Sequence, residues 1–176
     1  MSYDPGRPTA AEHLPYFSLY TNLVPDGGAM AQMETGFTQQ LERLSALSAD
    51  QVRHRYAPDK WSVLQTIGHL SDGERVFTYR ALRFARGDTT PLEGFDEATW
   101  MRGVDFDDRD LQALLEEWRS VRMAALSLFQ SLSPEMWLRQ GTANGHITSV
   151  RALCYMIAGH ELHHMKLLRE RYGLPI

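Results

Sequence analysis

The end of the chain sets the terms for everything before it. From Thr148 to Tyr172 runs TSVRALCYMIAGHELHHMKLLRERY, in which Val150, Leu153, Ile157, His160, His164, Leu167 and Leu168 recur at steps of three and four. That spacing predicts one amphipathic helix with these side chains on its inward stripe, capped by Thr148 or Ser149. Two stripe positions are histidines one turn apart. Residues at i and i+4 stack on one helix face, so both imidazoles reach a single point beside it. Neutral imidazole is the commonest protein metal ligand, and a third ligand from another segment would complete a centre there.

A chain of 176 residues is long enough to bury one core without staples. A net charge of −4, with no Lys/Arg cluster, gives no footprint for nucleic acid. The single Cys154 excludes an internal disulfide framework and fits a cytoplasmic setting. No segment reads as a signal peptide or a membrane span.

Residues 1–26 contain Pro5, Pro8, Pro15 and Pro25 but also Tyr16, Phe17, Leu19 and Tyr20. They predict an irregular arm packed on the body, or a short helix between Leu14 or Pro15 and Leu23. Gly27 and Gly28 separate it from a domain of residues 27–176. Within that domain a helix from Met30 to Leu47 turns Met33, Phe37, Leu41 and Leu44 inward. After the linker SADQVRHRYAPDKW, Ser62 caps a second helix reaching about Arg86, with Val63, Ile67, Leu70, Phe77, Ala81 and Phe84 on its stripe.

The loop from Thr89 to Asp107 is long and holds Phe95, Trp100, Met101 and Phe106, which predicts a packed lid with Phe95 or Trp100 near the cleft. A third helix from Asp108 to Leu132, capped by Asp107 or Asp108, turns Leu111, Leu114, Leu115, Trp118, Val121, Met123, Leu126 and Phe129 inward. No run alternates long enough to claim a sheet. The expected fold is all-α, a four-helix bundle with an irregular N-terminal arm and a long loop between helices 2 and 3.

The third ligand comes from the second helix. His69 projects among Ser62, Thr66, Gly73, Val76 and Arg80, a strip that is small and polar where the rest is bulky. Small neighbours leave room above an ion, and Arg80 is placed to meet an anionic group on a substrate. Three His ligands leave coordination positions open, as a catalytic site requires. Imidazole suits Zn, Ni, Fe or Mn, with Zn or Ni the first expectation. His163 lies about 100° round the helix from His164 and reads as a surface or supporting residue. His13, His54 and His146 fall in irregular segments and read as exposed. Glu161, Asp72 and Arg80 are the candidate catalytic residues; Glu161, Asp72 and Glu74 are equally readable as hydrogen-bonding or surface carboxylates.

His160-Glu161-Leu162-His163-His164 also matches H-E-x-x-H, the zinc-protease helix. Those enzymes take a third ligand further along the chain, where this sequence has no histidine, so the motif does not complete a protease site.

The segments YAPDKWSVLQTIGHLSDGERVFTYRALRFARGD, GFDEATW and GTANGHITSVRALCYMIAGHELHHMKLLRERYGL resemble the DinB/YfiT-like superfamily of metalloenzyme candidates. The likeness runs from about Met30 to the end and is most specific around Trp61 and His69 and around His160 and His164. It implies a four-helix bundle with long crossover connections, and a metal triad carried over onto His69, His160 and His164. Relatives of this kind include bacillithiol- or glutathione-dependent S-transferases, a mycothiol-dependent isomerase, and iron-binding domains of enzymes that join sulfur to histidine derivatives. The resemblance therefore implies activation of a low-molecular-weight thiol for transfer to an electrophile. Water activation for hydrolysis is the alternative, and a non-enzymatic metal-binding stress-response module a third. The partners expected are a small-molecule substrate and a second copy of the chain as a homodimer.

Overall fold

The computed structural model describes residues 5–26 and 28–176; residues 1–4 and Gly27, on which part of the expected arm and its boundary fall, lie outside the described residues. Four helices form the body. The first, α1, spans 29–45 and is α-helical over Ala29–Ala31 and Phe37–Ser45, with a π-helical turn at Gln32–Gly36 between them. The second, α2 (Val63–Ala85), starts where expected: the Ser62 hydroxyl accepts from Gln65 N while the Gln65 side chain accepts from Ser62 N, a reciprocal cap. The third is α3 (Leu111–Gln130), and the fourth, α4 (Val150–Tyr172), is capped by Ser149 and ended by Gly173 at φ 67°. α2 lies against both α3 and α4, and α1 crosses the same two helices.

Several expectations are corrected. The cap of α3 is Asp110, which accepts from Ala113 N, rather than Asp107 or Asp108. Asp107 instead accepts from the Ser62 hydroxyl and from Arg55, tying the start of α2 to the loop that precedes α3. The linker after α1 holds a helical turn, Ala49–Arg53, with its own Ser48–Gln51 capping box. An antiparallel hairpin, β1 (Gln140–Ala143) and β2 (His146–Ser149), leads into α4, with Gln140 opposite Ser149 and Ala143 opposite His146. Its strands are four residues long, too short to show an alternating pattern. Its turn is Asn144-Gly145, both with positive φ (50° and 74°), the pair that a two-residue hairpin favours. On α3, Met123 is exposed and Val121 half-buried, because the inward position between them belongs to Arg122.

That arginine marks a polar layer at mid-height. Below it, Leu64, Ile67, Leu114, Trp118 and Leu168 belong to one apolar cluster; above it, Phe77, Phe84, Phe129, Leu153 and Ile157 belong to another. Between them the Arg122 guanidinium forms a bidentate pair with Glu74 (2.6 and 3.0 Å), donates to Glu161 (2.8 Å) and to Met33 O (3.2 Å), and lies over the Phe37 ring. Trp118 donates its indole N–H to Glu74, and Gln32 its amide to Glu161. Every bundle helix contributes a member. Burial alone would lower the Arg122 pKa, but the two carboxylates reverse this and hold it protonated.

The arm carries a 3-10 turn (Ala10–Glu12) and then one short helical segment, 3-10 over Pro15–Phe17 and α over Ser18–Thr21, laid on α4 where a short helix was expected. Glu12 pins it: its carboxylate accepts from Ser149 Oγ (2.8 Å) and from Arg151 (2.7 and 2.5 Å).

Removing one member of the polar layer leaves buried charge uncompensated. Arg122→Met is expected to cost about 3–5 kcal/mol in urea unfolding, and adding Glu74→Gln and Glu161→Gln to restore part of that loss. A triple variant no more stable than the single one would contradict this. Glu12 gives a pH test. Burial would raise its carboxyl, but Arg151, Thr9 and Ser149 outweigh that and hold it at about 2, below the ordinary 4.5. A depressed folded-state pKa stabilises fully above about pH 4.5 and is lost as pH falls towards 2. The stability gap between wild type and Glu12→Gln should close over that window, as followed by thermal melts.

Candidate metal centre

α2 and α4 bring three imidazoles together just beside the polar layer. His69 Nε2 lies 2.9 Å from His160 Nε2, which lies 3.0 Å from His164 Nε2. All three rings are buried, and one ligand atom from each falls within 4.8 Å of the others. Nitrogens that share one ion at about 2.0–2.1 Å stand roughly 2.8–3.4 Å apart for octahedral to tetrahedral angles, a range that holds both spacings. Hydrogen bonding alone serves the cluster poorly, since His160 Nε2 carries one proton or one lone pair and faces two ring nitrogens. The donor set therefore fits a divalent cation.

Burial holds these rings neutral. It lowers His69 to about 4, and lowers His160 and His164 well below 6.5, with the neighbouring imidazoles adding to the effect at those two. At neutral pH the nitrogen lone pairs are free to ligate. The Trp61 ring packs on His69 at 4.8 Å and the Tyr20 ring on His160 at 5.1 Å, fixing both imidazole planes. A Cβ at Gly73 would stand 3.3 Å from His160 Cε1, so the glycine on α2 makes room for that ring.

The cluster sits between two openings. On one side His69 and His160 line a cavity of about 190 Å³ walled by Phe17, Tyr20, Phe77 and Phe95, with Arg80, Glu97 and His146 also facing it. On the other, His164 lines a shallower cleft with Trp61, Lys60 and Tyr172.

The candidate catalytic residues divide. Arg80 lines the cavity and is buried. Glu161 is buried in the polar layer against Arg122 and Gln32, and lines neither opening. Asp72 pairs with Arg75 near the surface, and Glu74 with Arg122. His163 is half-buried, its ring 5.3 Å from Tyr20. Of the histidines expected to be exposed, His54 and His146 are, whereas His13 is buried with Nδ1 3.0 Å from Leu14 O.

The loop 89–107 meets the site through Phe95 and Glu97. Trp100 stacks on Phe95 at 4.7 Å but is 44% exposed, and it does not line the cavity. Leu92 holds the loop to the hairpin, donating to Thr142 O and accepting from Asn144 N (both 2.9 Å). Tyr20 and His146 are site residues that periodicity did not reach, because both lie outside the four stripes. Asn144-Gly145 was the available signal for the hairpin that carries His146.

A sequence profile described as the DinB superfamily matches residues 32–168. Among solved structures the chain is similar to YfiT from Bacillus subtilis, described as a probable metal-dependent hydrolase with an unusual four-helix bundle topology. The TM-score is 0.69 at 17% identity, over 95% of this chain and 93% of that one. No curated protein matches the chain. Among the described residues no helix is long and apolar enough to cross a membrane.

The arm's hold on His160 depends on Gly159, where a Cβ would fall 2.1 Å from Tyr20 O. Gly159→Ala is therefore expected to lift the Ser18–Thr21 turn off α4 at a cost of roughly 1–3 kcal/mol. Limited proteolysis should show new cleavage within residues 5–26. An unchanged digestion pattern and melting temperature would contradict this packing.

Proposed function

The chain belongs to the DinB superfamily, and we propose that it is a divalent-metal-dependent enzyme acting on a small molecule, with His69, His160 and His164 as the protein ligands. The observation that carries this reading is three buried, neutral imidazoles converging beside an aromatic-walled cavity. A divalent ion held there, Zn or Ni before Fe or Mn, would lower the pKa of a bound thiol or water and present it as a nucleophile. The protein's own part is to supply neutral donors, keep remaining positions open to the cavity, and exclude bulk water with Phe17, Phe77 and Phe95.

Thiol transfer is the reaction we favour. The thiol gives up its proton, its sulfur forms a bond to an electrophilic carbon of the substrate, and the leaving group departs with the electron pair of the bond that breaks. No strong base is needed once the thiol pKa is lowered. Two of the nearby carboxylates support this, since Glu161 and Glu74 are both engaged with Arg122, which leaves Glu97 as the carboxylate lining the cavity. A hydrolase is the second reading, favoured by the fold shared with YfiT. Metal bound for stability alone would call for no cavity beside the ligands, and His69 and His160 open onto one.

The test begins with metal content. Purified protein is expected to hold about one equivalent of divalent ion, and His164→Ala to lose it, because two imidazoles hold an ion far more weakly than three. Metal-loaded protein should conjugate a low-molecular-weight thiol to 1-chloro-2,4-dinitrobenzene, and Glu161→Gln should leave that turnover within a few-fold. Metal-dependent, thiol-independent hydrolysis of an ester or amide, lost in Glu161→Gln, would overturn thiol transfer.

A further inference from the structure

We propose that the cavity beside the triad selects a small organic carboxylate, held at its far end by Arg80 with its reacting group at the triad. The assignment of the reacting end rests on the function proposed above; the carboxylate site itself stands on Arg80's surroundings.

Arg80 is 5% exposed, as buried as many core side chains, yet it has no carboxylate partner. Its Nη2 donates to Glu93 O at 2.8 Å, and its guanidinium lies 5.8 Å from the Phe95 ring centroid. Among the described residues it makes no other hydrogen bond and no ion pair. The contrast with Arg122, whose donors are spread over two carboxylates and a carbonyl, is direct. Burying a guanidinium without an anion is costly, and a structural role would be met more cheaply by an apolar side chain of similar length. Glu97 lines the same cavity without bridging to Arg80. The donors that Glu93 leaves free belong to a planar fork suited to a carboxylate.

The geometry limits the length of the ligand. His69 and Arg80 are eleven residues apart on α2, about 16 Å along the axis, and a helical side chain leans back towards the N-terminus. An extended arginine covers roughly a third of that distance, which leaves about 10 Å between the two ends. Phe17, Phe77 and Phe95 wall the space between them, so the middle of the molecule is apolar. Phosphate monoesters share the anionic chemistry; the limited volume and the single guanidinium favour the smaller, singly charged carboxylate.

The test uses 3-phenylpropanoate, 3-phenylpropanamide and phenyl phosphate, titrated by calorimetry into metal-free and zinc-loaded protein. The acid is expected to bind wild type, and the isosteric amide to bind at least about tenfold more weakly in both forms. Arg80→Gln should remove that preference and Arg80→Lys retain part of it, with zinc content unchanged in both. The acid–amide comparison needs no variant, so it holds even if Arg80→Gln fails to fold. Equal binding of acid and amide, or tighter binding of phenyl phosphate than of the acid, would overturn the proposal. So would a preference that vanishes without zinc and survives Arg80→Gln, since the carboxylate would then sit on the ion. If the protein takes up no zinc but keeps an Arg80-dependent preference, the carboxylate site stands and the metal reading falls.

Discussion

A single buried guanidinium organises this bundle. Arg122 reaches from α3 to Glu74 on α2, Glu161 on α4 and the Met33 carbonyl on α1, so the four helices share one polar junction. Carboxylates at this depth cannot stay charged without a cation, and the cation cannot stay without them. The junction therefore fixes the rotation of α4 about its own axis. With Glu161 turned to Arg122, its neighbour His160 points about 100° away, and His164, one turn further on, points the same way as His160. The registration that satisfies the ion pairs also aims both imidazoles at His69.

Chemical consequences follow from this division of α4. In an H-E-x-x-H protease the glutamate works beside the metal, whereas here it is held by Arg122 and Gln32 inside the core. What faces the cavity is two of the three neutral imidazoles, aromatic rings, Glu97 and one guanidinium that lacks an acidic partner, with His164 on the opposite side. Such a site suits a nucleophile made by the ion itself and a substrate recognised by shape and by one negative charge. The arm and the loop 89–107 shape that recognition: Phe17 and Tyr20 come from one, Phe95 from the other, and the bundle alone would leave the cavity open.

How far the sequence carried the reading depended on how periodic each part was. α2 and α4 were legible nearly to the residue, because Ser62 and Ser149 are capping residues directly before strong apolar stripes. The same stripes exposed His69, His160 and His164 as polar intrusions on inward faces. Arg122 was not legible: an arginine between Val121 and Met123 reads as surface, and only the carboxylates on two other helices draw it inside. The hairpin escaped because four-residue strands carry no period, although Asn144-Gly145 marked its turn. His13 and Tyr20 were obscure for the same reason, since irregular backbone has no repeat from which burial can be inferred. Arg80 stood out only by its place on the strip with His69; its lack of a partner is visible only in three dimensions.

The central claim is that these three histidines, and no carboxylate, hold one ion with room beside it for a reactant. X-ray absorption at the zinc edge of the loaded protein tests this most directly. The account predicts three imidazole nitrogens at about 2.0–2.1 Å with the remaining positions filled by water or another small ligand, and a sulfur scatterer near 2.3 Å once a low-molecular-weight thiol is added. A shell closed by four protein ligands, or one that keeps a carboxylate oxygen lost in Glu161→Gln, would contradict it.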